Sequence, residues 1–298
     1  MTATKNHPPF VIGALRTCAV AILCFFVLWC LLMAVALGAE QMAIFQPSRH
    51  LASMEELDPW MHADMMMPAI GGGAVHTIVL RGTGTHGAAL FAHGNGGNIS
   101  SCTSFLAAAR AHFAWVVAFD YRGYGKSHFK SSPSRISEST TVQDLETVWR
   151  FCLTQQRLQS QPWTLIGYSL GGGVVSSFMS RMALRDHETL RPIKEVLLVA
   201  TFRSVVEEAA HAVGTSLVSP FVLSRFDNEA AWTRFYLACP LRPRVTVVCA
   251  AADTLIPPQH TKGLAQTFGW PLLSIHGLDH WNILDACAEW FQHPKREQ

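Results

Sequence analysis

The pentapeptide Gly167-Tyr168-Ser169-Leu170-Gly171 constrains what this chain can fold into more than any other stretch. It has the form G-x-S-x-G, and its two flanks differ in kind. Trp163-Thr164-Leu165-Ile166 before it is a short apolar run of strand type. Beyond Gly172 and Gly173, the apolar residues Val174, Val175, Phe178, Met179 and Met182 recur at roughly helical intervals. A serine held between such a strand and such a helix sits on a sharp turn that lifts its hydroxyl out of the fold. The flanking glycines allow the strained backbone and the close approach of helix to strand. Small-residue runs match the pattern by chance, as a Gly-rich turn without chemistry, so its weight depends on what else the chain supplies.

The rest of the chain repeats the strand-then-helix rhythm. Val75–Leu80, Ala88–Ala92, Trp115–Phe119, Val196–Ala200, Val245–Cys249 and Leu272–Ile275 read as strands, several of them wholly apolar, as in parallel sheets buried on both faces. Phe105–His112 reads as a short helix. Glu138–Thr154 reads as an amphipathic one, with Val142, Leu145, Val148, Trp149 and Cys152 on one face. Alternation of this kind predicts an α/β fold with a mainly parallel sheet covered by helices on both faces, and 298 residues accommodate it in one domain.

Reactive side chains collect at the expected strand ends. The loop His93-Gly94-Asn95-Gly96-Gly97-Asn98 follows one strand, and its backbone N–H groups are free to face a ligand oxygen; the residue after the serine, Leu170, would supply a second such donor. A phosphate loop is the alternative, but no G-K-[ST] follows. His93 reads as a loop-holding residue rather than a base, and His76, alternating within a strand, as structural. Asp253 lies just past one late strand and His280 just past the last. A serine nucleophile needs a base to take its proton and an acid to fix the base's tautomer and stabilise its cation, and His280 and Asp253 fill those roles. Asp279 is a rival acid, poorly placed as the immediate neighbour of His280. Asp120, at the end of Trp115–Phe119, is another rival, read as bracing its loop.

Five segments in order carry a family likeness: HGNGGN (93–98), DYRGYGKS (120–127), GYSLGGG (167–173), AADTLIP (251–257) and GLDHWN (277–282). Together they resemble the α/β-hydrolase superfamily, and within it the membrane-anchored BEM46/ABHD-type serine hydrolases, from about Val75 to the C-terminus. The resemblance implies Ser169 as nucleophile, Asp253 as acid, His280 as base, and the backbone N–H groups of Asn95 and Leu170 as oxyanion donors. It calls for no cofactor and no metal. Two departures are the bulky Trp281 after the histidine, which would narrow the pocket mouth, and Ala250 where members commonly carry glycine; neither removes a reacting atom.

The N-terminal part sets the surroundings. Thr17–Ala39 holds no charged residue across 23 positions, enough to cross a bilayer, which takes about 20 helical residues. Lys5 and Arg16 precede it, while Glu40 and then Arg49 follow, an asymmetry that favours a cytoplasmic N-terminus and a lumenal, periplasmic or extracellular catalytic domain. A cleaved signal is the alternative, with Ala36-Leu37-Gly38 as the cleavage site, although the run exceeds the usual apolar core of such peptides. The expected division is a tail over 1–16, a transmembrane signal anchor over 17–39, a linker over 40–74 and the α/β-hydrolase domain over 75–298. Of eight cysteines, Cys18, Cys24 and Cys30 lie in the apolar run and the other five lack metal-ligand spacing. A net charge of +2 without a basic run argues against a nucleic-acid partner.

The segment between Thr201 and Leu241 is where such folds insert caps. Its apolar residues, Val205, Val206, Val213, Leu217, Val218, Phe221, Val222 and Leu223, suit an acyl-pocket wall. With an anchor holding the site near lipid, the expected substrate is an acyl ester or thioester on a lipid or an S-acylated protein. An aminopeptidase or amidase on the same triad, and a non-catalytic binding protein on the same fold, are the alternatives. Asn98-Ile99-Ser100 is a glycosylation sequon inside the Gly-rich loop, where a glycan would crowd the site, so it is expected to be unoccupied or turned away.

Overall fold

A computed structural model of the chain describes residues 9–131, 135–214, 219 and 222–292. The apolar run forms one helix, α1 (Pro9–Ile44), longer at both ends than the 17–39 span expected from composition. Its window Cys18–Val35 has mean hydropathy 2.9 and none of it is buried in the fold. Among the described residues it is the one helix long and apolar enough to cross a membrane, a property that signal sequences share. Leaving it, the chain makes the two-residue strand β1 (Gln46–Pro47).

The 40–74 region is not a linker. It contains β2 (Met61–Pro68), which pairs antiparallel with β3 (Ala74–Arg81) as the edge of the main sheet. Ala63, Met65 and Met67 face in while Asp64, Met66 and Pro68 face out; at the register shift before Ala63, Met61 packs on the other layer and His62 meets the Trp115 ring. This period of two is legible once the methionines count as core residues. Methionine is no strong strand former and the triple Met65-Met66-Met67 hides the alternation. Pro68, at the strand's end on an edge, leaves no ladder donor missing.

The remaining elements follow in chain order: β4 (Ala88–Ala92), β5 (Gly96–Gly97), α2 (Thr103–His112), β6 (Trp115–Phe119), α3 (Glu138–Thr154), β7 (Trp163–Tyr168), α4 (Leu170–Arg185), β8 (Ile193–Val199), α5 (Val205–Val213), α6 (Asn228–Ala238), β9 (Arg244–Ala250), α7 (Pro258–Phe268), β10 (Leu272–Ile275) and α8 (Ile283–Gln292). The eight-stranded sheet runs β10-β9-β8-β7-β4-β6-β3-β2. Only the two pairings of β3 are antiparallel, and the other five are parallel. β4 sits between β7 and β6 and is buried along its whole length, which is why its sequence is unbroken Ala, Leu and Phe.

Two apolar layers hold helices to the faces. One joins Trp149 of α3, Val174 and Phe178 of α4, and Trp232 and Phe235 of α6 to the sheet, with the Trp149 and Trp163 rings meeting edge to face at 5.3 Å. The other seats Phe105 and Leu106 of α2 and Ile283 and Leu284 of α8 against Leu80, Phe91 and Val116. Helix α3 starts on a reciprocal cap in which Ser137 accepts from Thr140 N and Thr140 Oγ1 accepts from Ser137 N. In the expected cap region, the described residues include α5, α6 and 222–227, where Val222 is buried and Leu223 exposed; Leu217, Val218 and Phe221 lie outside the described residues, as does the side chain of Val213.

Candidate active site

Ser169 stands between β7 and α4 with φ 53° and ψ −117°, a conformation that L-residues avoid. Such a residue costs on the order of 1–3 kcal/mol and persists only where its surroundings over-determine it. Here they do. Ser169 N donates to Val199 O at 2.8 Å, while Ser169 O accepts from Thr201 Oγ1 at 2.9 Å and Gly172 N at 3.0 Å. The glycines are steric necessities: a Cβ on Gly171 would lie 2.0 Å from Ala92 O, and one on Gly167 within 2.8 Å of the Gly171 and Gly172 backbone. Helix α4 is thereby pressed against β7 and β4 with the serine hydroxyl at its N-terminal tip.

The structure brings Ser169, Asp253 and His280 together from three separate strand ends. His280 Nε2 lies 3.0 Å from Ser169 Oγ, and His280 Nδ1 lies 2.7 Å from Asp253 Oδ2. All three side chains are buried to within a few per cent. Asp253 Oδ1 accepts from Leu255 N at 3.0 Å and Ile256 N at 2.8 Å, which fixes the carboxylate with its other oxygen toward the histidine. Asp279 turns away from the imidazole and accepts from Trp281 N and Asn282 N. Trp281 is 71% exposed and touches the His280 ring edge-on at 5.5 Å.

Ser169, Leu170 and Asn95 border one cavity of about 260 Å³. Its other walls are mainly apolar: Ile44 from the end of α1, Phe202, Val205 and Ala209 from the cap side, and Leu255 and Ile256 beyond β9; Glu208 is also at the wall. Leu170 is the first residue of α4, so its N–H has no acceptor within the helix. Wider, more open depressions, such as the one lined by Arg203, Glu207 and Glu229, do not contain Ser169.

The residues read as structural are engaged elsewhere. Buried His76 bridges Asp120 Oδ2 at 2.9 Å and Asp64 Oδ1 at 2.8 Å. Asp120 Oδ1 accepts from Ile99 N at 2.8 Å, so it braces the Gly-rich loop. His93 Nδ1 lies 2.7 Å from Gly94 O, and burial holds its pKa below the usual histidine value. Burial pushes the Cys102 thiol up to about 12, which removes it as a rival nucleophile. The sequon asparagine Asn98 is 1% exposed, with Nδ2 donating to Ser48 O and His50 O and Oδ1 accepting from Ser100 N and Ser100 Oγ.

Three contributors escaped the sequence reading. Tyr168 OH donates to His280 O at 2.6 Å, tying the turn that carries the serine to the loop that carries the histidine. Its place in the pentapeptide is unconstrained, so nothing in the pattern marks it. Ile44 and Gln46, which border the cavity and the Gly-rich loop, fell within the supposed linker.

The sequence profile of a family described as the alpha/beta hydrolase fold matches residues 90–212. The chain has the α/β-hydrolase fold. Among curated relatives, protein R595 of Acanthamoeba polyphaga mimivirus is 32% identical over 186 residues, covering 61% of each chain. The hydrolase-fold chain thus spans about three fifths of that relative's length. Among solved structures, the Pyrococcus furiosus esterase Pf2001 superposes with TM-score 0.62 at 14% identity, over 84% of this chain and 96% of its own. An alpha-beta serine hydrolase homologue from Coxiella burnetii superposes with TM-score 0.54 at 16% identity, over 78% of this chain and 97% of its own. At these identities the likeness shows the fold.

Proposed function

We propose that the protein is a serine hydrolase of acyl esters or thioesters that works through an acyl-enzyme on Ser169. The observation that carries the reading is the unbroken chain of contacts Ser169 Oγ, His280 Nε2, His280 Nδ1, Asp253 Oδ2 at 3.0 and 2.7 Å, opening onto an apolar cavity. In this reading His280 Nε2 takes the Oγ proton as Oγ attacks the acyl carbon, while Asp253 accepts from Nδ1–H and stabilises the imidazolium. The N–H groups of Leu170 and Asn95 receive the carbonyl oxygen as it gains charge. Collapse of the tetrahedral species expels the alcohol or thiol, which takes the proton from His280. Water then enters by the same route and frees the acid.

The apolar walls favour an acyl chain over a polar peptide, which sets the amidase alternative second. The α1 helix and the charge asymmetry around it support an anchored enzyme with its domain on the far side of the membrane from the N-terminus. Digestion of the domain by protease added to the cytoplasmic side of sealed membranes would contradict that orientation. A fluorophosphonate probe tests the chemistry. The full-length protein should label once per chain, Ser169→Ala should not label, and turnover in that variant should fall about 10⁴–10⁶-fold. Labelling that persists in Ser169→Ala would sink the proposal.

A further inference from the structure

The cavity and the oxyanion loop are both built partly from the chain that leaves α1. Ile44, the last residue of the apolar helix, is a wall of the cavity that holds Ser169. Phe45, next along, is 2% exposed and packs into the core with its ring edge-on to Phe226 at 6.2 Å. Gln46–Pro47 then pairs in parallel with Gly96–Gly97 of the loop that carries Asn95. Gln46 N donates to Asn95 Oδ1 at 2.7 Å, and Tyr124 OH donates to the same oxygen at 3.3 Å. Ser48 O accepts from Gly125 N at 2.9 Å and from Asn98 Nδ2 at 3.0 Å, which closes the clip on the far side of the loop.

A Gly-rich loop has no stiffness of its own, because glycine resists no backbone rotation. Its N–H groups serve a developing oxyanion only if they are held in place before the charge forms. Asp120 fixes the loop beyond residue 98 through Ile99 N. On the near side, the side chain of Asn95 is held by the strand that emerges from the membrane-type helix. The same few residues place an apolar side chain against the space an acyl chain would fill.

We infer that Ile44–Ser48 is a working part of the site: Gln46 is a positioning residue for the Asn95 oxyanion donor, and Ile44 is a wall of the acyl-binding cavity. This rests on the serine-hydrolase reading above. The helix is then joined rigidly to the loop that stabilises the transition state.

The test uses the full-length protein in detergent, with active sites counted by end-point fluorophosphonate labelling and turnover expressed per labelled site. Gln46→Pro removes the N–H that donates to Asn95. It should lower kcat per site about tenfold or more at every acyl length and leave KM within twofold, because misplacing a catalytic contact by about 1 Å costs up to about 10²-fold. Should that variant fail to fold, Asn95→Leu carries the test: it deletes the acceptor, keeps the backbone N–H, and should show the same split. Ile44→Ala should lower kcat/KM for decanoate more than for p-nitrophenyl acetate, the gap being about fourfold for each methylene that loses its cover. A purely structural role would lower the number of labelled sites or the Tm without changing turnover per site. Wild-type turnover per site in either loop variant, or an Ile44→Ala effect equal on acetate and decanoate, overturns the inference. Absence of labelling in the wild-type protein defeats the serine-hydrolase reading itself.

Discussion

Replacing Asp253 with asparagine should nearly abolish turnover while leaving the fold intact, and the structure fixes the reason. Asp253 Oδ1 accepts two backbone N–H groups, from Leu255 and Ile256, at 3.0 and 2.8 Å. An amide nitrogen cannot accept them, so the asparagine oxygen must take that position and its NH₂ must face His280 Nδ1, where Oδ2 now lies 2.7 Å away. An N–H directed at Nδ1 stabilises the tautomer with the proton on Nε2. That proton then points at Ser169 Oγ, 3.0 Å away, and the base cannot accept from the serine. The same isosteric change in a Ser-His-Asp enzyme costs about 10⁴-fold in kcat, and a loss of that order is expected here. The assay is p-nitrophenyl decanoate hydrolysis with the thermal midpoint measured in parallel. KM and Tm should move little, since both hydrogen bonds from the 255–256 backbone survive. A variant that keeps kcat within tenfold of wild type would refute the assignment of Asp253 as the acid that orients His280.

Three further outcomes follow from the geometry. Gly171→Ala should destabilise the domain by more than about 1–3 kcal/mol, an overpacking penalty, because its Cβ would meet Ala92 O at 2.0 Å; Gly96→Ala, with nothing within 4 Å, should be near neutral, and equal Tm values for the two would contradict the packing argument. Rates should rise with acyl length by about fourfold per methylene and then level off, because a cavity of about 260 Å³ holds the volume of about nine waters; p-nitrophenyl decanoate should exceed acetate and palmitate should add little, whereas a flat profile would remove the acyl-chain reading. Burial lowers the His93 pKa, so the folded chain prefers the neutral ring and the unfolded chain takes up the proton first as pH falls below the ordinary histidine value of about 6.5. The stability His93 contributes is present above that pH and lost below it, so Tm should drop between pH 7.5 and 5 and drop less in His93→Gln; identical slopes would show that His93 is not the group responsible.

The parts of this molecule that sequence displays are those where one residue type is forced. Only glycine fits at 167 and 171, where helix and strand backbones touch, so the turn announces itself. Strands buried on both faces, such as Ala88–Ala92, must be apolar throughout and are equally plain. Ser169, Asp253 and His280 are visible because each lies past the end of a strand, the ones before Ser169 and Asp253 largely buried and the one before His280 the sheet's edge. The edge strand Met61–Pro68 was hidden, since one face is open to solvent and methionine supplied its apolar positions. The clip from Gln46 to Ser48 was hidden for a different reason. On its side the hydrogen bonds run through the N–H of Gln46 and the C=O of Ser48, backbone groups that almost any residue supplies and no sequence pattern records. Tyr168 is a third kind: its hydroxyl reaches His280 O across 112 positions, a partnership that depends on the finished fold.

In the proposed reaction an acyl group passes through Ser169. Full-length protein mixed with p-nitrophenyl decanoate and quenched in acid within the first turnovers should, on peptide mass spectrometry, carry a decanoyl adduct on Ser169. Ser169→Ala treated alike should carry none and should turn over at least about 10⁴-fold more slowly. An adduct on another residue, or undiminished hydrolysis by Ser169→Ala, would contradict the account.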